Sequence, residues 1–168
     1  GWPEGTDPRT ARVQVEIQAG PLSVLQSELE RLKAGGRASG AYTYGLAHQL
    51  TALAEASGAE LDAPTLRKLR IKAWQRLVRE ARSPDGGRAA DLLTSLNGVE
   101  DGPLLEALHD RLVRTVVAAQ RGDGSWGRQS TGSLQRILVQ TAVAVRALPE
   151  SETGARLRAA GAFERNLP

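Results

Sequence analysis

Apolar residues in this chain recur at helical spacing in block after block, and each block stops at a glycine or proline. That punctuation constrains the fold more than any other feature, because a 3.6-residue period can bury only one face of a helix. Leu22, Leu25, Leu29 and Leu32 form one stripe across residues 21–34. Gly35, Gly36 and Gly40 then mark a turn, and a second apolar face through Leu46, Leu50, Leu53 and Ala54 ends at Gly58. Asp62 is placed to cap a third helix, with Pro64 tolerated in its first turn. Leu66, Leu69, Ile71, Ala73, Trp74, Leu77 and Val78 give that helix a broad stripe before the turn Pro84-Asp85-Gly86-Gly87. Further helices are predicted over residues 89–96, 104–119 and 133–148, and a short one over 155–160.

Residues 12–18 alone alternate polar and β-branched side chains, the pattern of a half-buried strand. The expected fold is therefore all-α, built from antiparallel helix pairs, with a short N-terminal β-strand. Residues 1–20 read as an extended lead-in and residues 21–168 as the helical domain. The segments 104–119 and 133–148 are expected to be antiparallel neighbours, because the connector between them is short and both apolar faces need cover.

Composition supports helices. Aromatic residues make up only 4% of the chain, so the core must be built from Leu, Val and Ala. The chain has no cysteine, which excludes disulfides, cysteine nucleophiles and thiolate metal sites within it. Twenty-two basic residues are interspersed with 19 acidic ones for a net charge of +3, and no basic patch stands beside base-stacking residues. A nucleic-acid partner is therefore not expected. No run approaches the roughly 18 apolar residues that a membrane span requires, and no signal-peptide pattern opens the sequence. His48 and His109 have no partners at a metal-binding or catalytic spacing, so neither a metal nor another cofactor is expected.

Two short segments stand out against this background. The first is Tyr42-Thr43-Tyr44-Gly45-Leu46-Ala47-His48-Gln49. The second is the glycine-rich connector Gln120-Arg121-Gly122-Asp123-Gly124-Ser125-Trp126-Gly127. In the connector the Gln120 amide can cap the next helix while its flat face packs on the Trp126 indole, and Gly124 permits a left-handed turn. Gln120, Gly124 and Trp126 are read as a structural clamp.

The first segment resembles the thioester signature of the α2-macroglobulin and complement family, Tyr-x-Tyr-Gly-Cys-x-Glu-Gln. In that family the cysteine thiol and the glutamine condense into an internal thioester. Here Leu46 stands at the cysteine position and His48 at the glutamate position, so the motif is vestigial, retaining Tyr42, Tyr44, Gly45 and Gln49. The order of strand, helix, turn, motif and helix also resembles the family over residues 10–87, and more loosely to Leu148. The connector's Gln-x-x-x-Gly-x-Trp spacing is similar to a repeat of terpene cyclases, which share the α/α-toroid architecture.

The resemblance implies an α/α-toroid of which this chain supplies about half a ring. It implies a non-catalytic, degenerate thioester-like domain of a bacterial-type macroglobulin-like protein, extracellular or periplasmic, with a structural or protein-binding role. Its partners would be the rest of a larger chain or another protein, a protease among them. The tyrosine pair would be retained as packing, and Leu46 would be buried at the start of an inner helix with Gln49 nearby. The competing reading is a free-standing helical-repeat interaction module. An isoprenoid-type toroid enzyme is more remote, because the chain lacks an Asp cluster and an aromatic-lined cavity.

Overall fold

The computed structural model describes residues 20–34, 38–127 and 134–166, and these form seven α-helices. They are α1 (Pro21–Lys33), α2 (Gly40–Ser57), α3 (Ala63–Glu80), α4 (Gly86–Ser95), α5 (Gly102–Ala118), α6 (Leu134–Ala147) and α7 (Thr153–Asn166). The protein is all-α among the described residues, and the strand expected at 12–18 lies outside them.

Local chemistry explains most of the boundaries, including those that differ from expectation. Asp62 accepts from the Thr65 amide at 3.1 Å and starts α3 as its sequence position predicts. Asp85 does the same for the Arg88 amide at 2.8 Å, so α4 begins one turn earlier than the apolar pattern indicates. Gly40 is not part of a turn: Ser39 caps α2 by accepting from the Tyr42 amide at 3.0 Å, and Gly40 is the first helical residue. The last helix is far longer than the six residues expected. Its buried face is Ala155, Ala159 and Ala162, a small-residue stripe at i, i+4 and i+7 that carries little hydrophobic signal.

The helices pack in an alternating pattern. α2 lies on α3, α4 on α5 and α6 on α7, while α4 also contacts both α2 and α6, and α1 covers α2. This corrects the expected pairing of residues 104–119 with 133–148. Both α5 and α6 pack on α4, and the connector between them carries its own buried anchor, Trp126.

The main core runs from Ala41, Tyr44 and Leu77 through Leu92, Leu93, Leu112 and Val116 to Ala155 and Ala159. A second cluster joins Leu29 of α1, Leu46, Ala47 and Leu50 of α2 and Leu66 of α3. Full burial of each leucine contributes about 1.5–3 kcal/mol. Close approach of α2 to its neighbours depends on two glycines. A Cβ at Gly40 would collide with the α3 backbone at Leu77, and one at Gly45 would lie 2.6 Å from the Ser95 carbonyl oxygen of α4.

Candidate functional site

The segment 42–49 is helical throughout and occupies the first half of α2. Its backbone amides are therefore spent on the Ser39 cap and the helical ladder, and only side chains remain for other work. Tyr42 is exposed, and its hydroxyl donates to Glu28 of α1 at 3.0 Å. Glu28 is itself held below the usual carboxylate range, mainly by its hydrogen bond from Arg31. Tyr42 is thus a surface tether between α1 and α2, whereas packing was expected of it.

Leu46 is buried in the leucine cluster of α1, α2 and α3. Gln49 is exposed, and His48 is half-buried. Burial of Leu46 agrees with expectation. Its position at the start of an inner helix does not: it is six residues beyond Gly40, where α2 begins. Leu46 and Gln49 lie one turn apart on α2, at i and i+3, with Leu46 packed among leucines and Gln49 exposed. Gly45 has a purely steric role at the α2–α4 crossing.

Tyr44 is the residue of this segment around which polar chemistry converges. Its ring is buried and tilted by 47° against Trp74 of α3, with centroids 5.5 Å apart. Its hydroxyl donates to Asp101, the residue preceding α5, and Arg70 of α3 donates to the same carboxylate oxygen at 2.6 Å. The Arg70 guanidinium also stands 5.9 Å from the centre of the Tyr44 ring. Burial pushes the Tyr44 hydroxyl up, and the bond to Asp101 raises it further. Asp101 is held below the usual carboxylate range by the Tyr44 hydroxyl and then by Arg70, against an opposing effect of burial. One carboxylate thereby ties α2, α3 and α5 together.

This cluster forms one side of an open groove of about 1020 Å³. Ala54, Leu61 and Leu66 form much of its apolar wall, with Trp74 beside Tyr44. Ile71 and Leu104 stand on the rim with relative exposures of 52% and 73%. Sequence reasoning missed the groove because no spacing rule connects Arg70 with Asp101. The available signal was the width of the α3 stripe. Leu66, Ala73 and Leu77 already account for its core face, which leaves Ile71, Trp74 and Val78 as a second apolar stripe.

The connector is a clamp, but with partners other than those predicted. Gln120 donates from Nε2 to the Gly124 carbonyl at 2.9 Å and to the Ala155 carbonyl of α7 at 2.8 Å. Its Oε1 accepts from Arg158 at 2.8 Å. It thus secures α7, not the amides at the start of α6. Trp126 is 3% exposed; its indole N–H donates to the Val116 carbonyl of α5 at 2.7 Å, and its backbone amide donates to Thr141 of α6 at 3.0 Å. Gly124 adopts φ +83° and passes so close to the Arg158 carbonyl that any side chain would collide. The clamp therefore joins α5, α6 and α7.

Among the described residues, no group of three or more His, Asp or Glu side chains is placed to hold a metal ion. No described helix is long and apolar enough to cross a membrane. In comparison with known proteins, the chain matches no family model, no curated protein and no solved structure.

Proposed function

We propose that this chain is a non-catalytic helical-repeat domain that binds protein through the groove beside α3. The observation that carries this reading is the exposure of Ile71 and Leu104 in the lining of a groove whose Tyr44, Arg70 and Asp101 are already committed to one another. Two large aliphatic side chains held in water beside a half-buried tryptophan form the kind of patch that protein contact covers. The Tyr44–Asp101–Arg70 cluster braces three elements, so the groove is pre-formed and little ordering free energy is lost on binding. By contrast, the segment resembling a thioester motif contributes packing: Leu46 has no thiol and is buried among leucines, and Gln49 is exposed.

A second reading, half of an α/α-toroid from a macroglobulin-like protein, is favoured by one observation. α2, α4 and α6 contact one another in sequence, and α3, α5 and α7 each back one of them, which is how a two-layered helical ring is assembled. That reading carries with it an extracellular or periplasmic location and a larger parent chain. It is compatible with protein binding at the same groove.

Selection of a displayed peptide library against the protein tests the proposal. Enriched peptides should lose binding to Ile71→Asp and Leu104→Asp variants while retaining it for Leu157→Asp, which alters an equally exposed leucine on α7. Enrichment of peptides indifferent to Ile71 and Leu104, or no enrichment at all, would remove this function from the groove.

A further inference from the structure

We infer that Asn97, in the turn between α4 and α5, is a site of covalent self-modification: its side chain loses ammonia to attack by the Gly98 nitrogen, leaving aspartate or isoaspartate. Glycine is the follower most open to this reaction, because it has no side chain to shield its own nitrogen. The chain has two asparagines, Asn97 and Asn166, and only the first precedes a glycine. Leu96 closes α4 and α5 begins at Gly102, so the pair lies outside both helices. Asn97 and Gly98 are both exposed, and Gly98 takes φ +73° with no atom within 4 Å of where a Cβ would stand. Among the described residues, neither the Asn97 side chain nor the Gly98 amide has a hydrogen-bond partner to hold it back.

The reaction needs only water. The Gly98 amide gives its proton to solvent base, and its nitrogen bonds to Asn97 Cγ. The Cγ–Nδ2 bond breaks, ammonia leaves, and a succinimide ring joins the two residues. Water then opens the ring on one side or the other. Breaking the new bond at Cγ leaves aspartate; breaking the original peptide bond leaves isoaspartate, whose main chain is one methylene longer. The three Asp-Gly pairs of the chain provide an internal contrast, because a carboxylate is the weaker electrophile and each is engaged. Asp85 accepts from the Arg88 amide at 2.8 Å, and Asp101 accepts from Tyr44 and from Arg70 at 2.6 Å. Asp123 accepts from the Ser125 amide at 3.0 Å and from its hydroxyl at 2.7 Å.

The turn has little room for the added methylene. Leu96 is buried, its carbonyl accepts from the Val99 amide at 3.0 Å, and Val99 packs against the main core. Shortly beyond, Asp101 ties α5 to α2 and α3. Isoaspartate at position 97 therefore strains a turn pinned on both sides, and either product sets a carboxylate beside the negative end of α4.

Incubation of the whole protein in mildly alkaline buffer tests the inference, read by peptide mapping with electron-transfer fragmentation, which separates aspartate from isoaspartate. The synthetic peptide Ser-Leu-Asn-Gly-Val-Glu, the sequence of residues 95–100, sets the rate of the open chain. In the folded protein Asn97 should convert at no less than about a tenth of that rate, to a mixture of both products. Isomerisation at Asp85, Asp101 and Asp123 should be at least tenfold slower, and Asn97→Gln should abolish conversion at this position. The isoaspartate form, isolated by chromatography, should melt below both the parent and Asn97→Asp, which carries the charge without the methylene. An unchanged Asn97 after the peptide has fully converted would overturn the site, as would isomerisation of an Asp-Gly pair that keeps pace with it. An isoaspartate form that melts with Asn97→Asp would overturn the strain assigned to the turn.

Discussion

The α2 segment 42–49 and the connector 120–127 both place aromatic residues near glycine and glutamine, yet the two regions use those residues in opposite ways. In α2 the backbone is satisfied by its own ladder, so Gly45 is needed only for close approach to α4, and Gln49 is left in solvent. In the connector there is no ladder. Gln120 and Trp126 bond backbone carbonyls at Gly124, Ala155 and Val116, and so fix the loop to α7 and α5. A polar motif inside a helix is thus free to be ornament or packing, whereas the same residue types in a loop become part of the fold.

Substitutions should separate the two regions sharply. Trp126→Ala removes a buried indole and its bond to the Val116 carbonyl, so urea denaturation should show a loss of about 4 kcal/mol. A loss below about 1 kcal/mol would mean that the connector is not a clamp. Gly45→Ala gains roughly 1 kcal/mol in helix propensity but drives a Cβ against the Ser95 carbonyl, a backbone atom that cannot rotate away. The clash should win, for a net destabilisation of about 1–2 kcal/mol; a stabilised variant would show that α2 and α4 are not in contact there.

The Tyr44–Asp101–Arg70 cluster provides a pH-dependent test. Because the folded carboxyl is held below its ordinary value, its contribution is complete above the unfolded value near 3.9 and is lost as pH falls through the lower folded value. The parent should therefore lose stability between about pH 5 and pH 3 more steeply than Asp101→Asn. Parallel pH profiles would place Asp101 outside the cluster. Gln49→Ala should have the smallest effect, within about 0.5 kcal/mol, as is usual for an exposed position away from any cap or network. A larger loss would show that Gln49 has a partner.

Much of the helical architecture was legible, because leucine spacing, Asp62 and the glycine–proline punctuation are local signals. The end of α7 was not, since alanines can form a buried face without standing out in hydropathy. The partners of the connector were only half legible. Its glycines and tryptophan announced a buried turn, but the choice of α7 as the anchor for Gln120 depends on a contact 35 residues away. The groove was least legible. Tyr44, Arg70 and Asp101 come from three separate elements, and the surplus apolar stripe of α3 looks in the sequence like more core.

The most direct test of whether 42–49 is packing or chemistry restores both residues that the resemblance lacks. In the Leu46→Cys/His48→Glu variant a thioester would form by attack of the new thiol on the Gln49 side-chain carbonyl with loss of ammonia. Methylamine would then add and free the thiol. With position 46 among leucines and Gln49 in solvent, intact mass spectrometry should show neither ammonia loss on folding nor methylamine uptake. Both changes together, located to Gln49, would contradict the account.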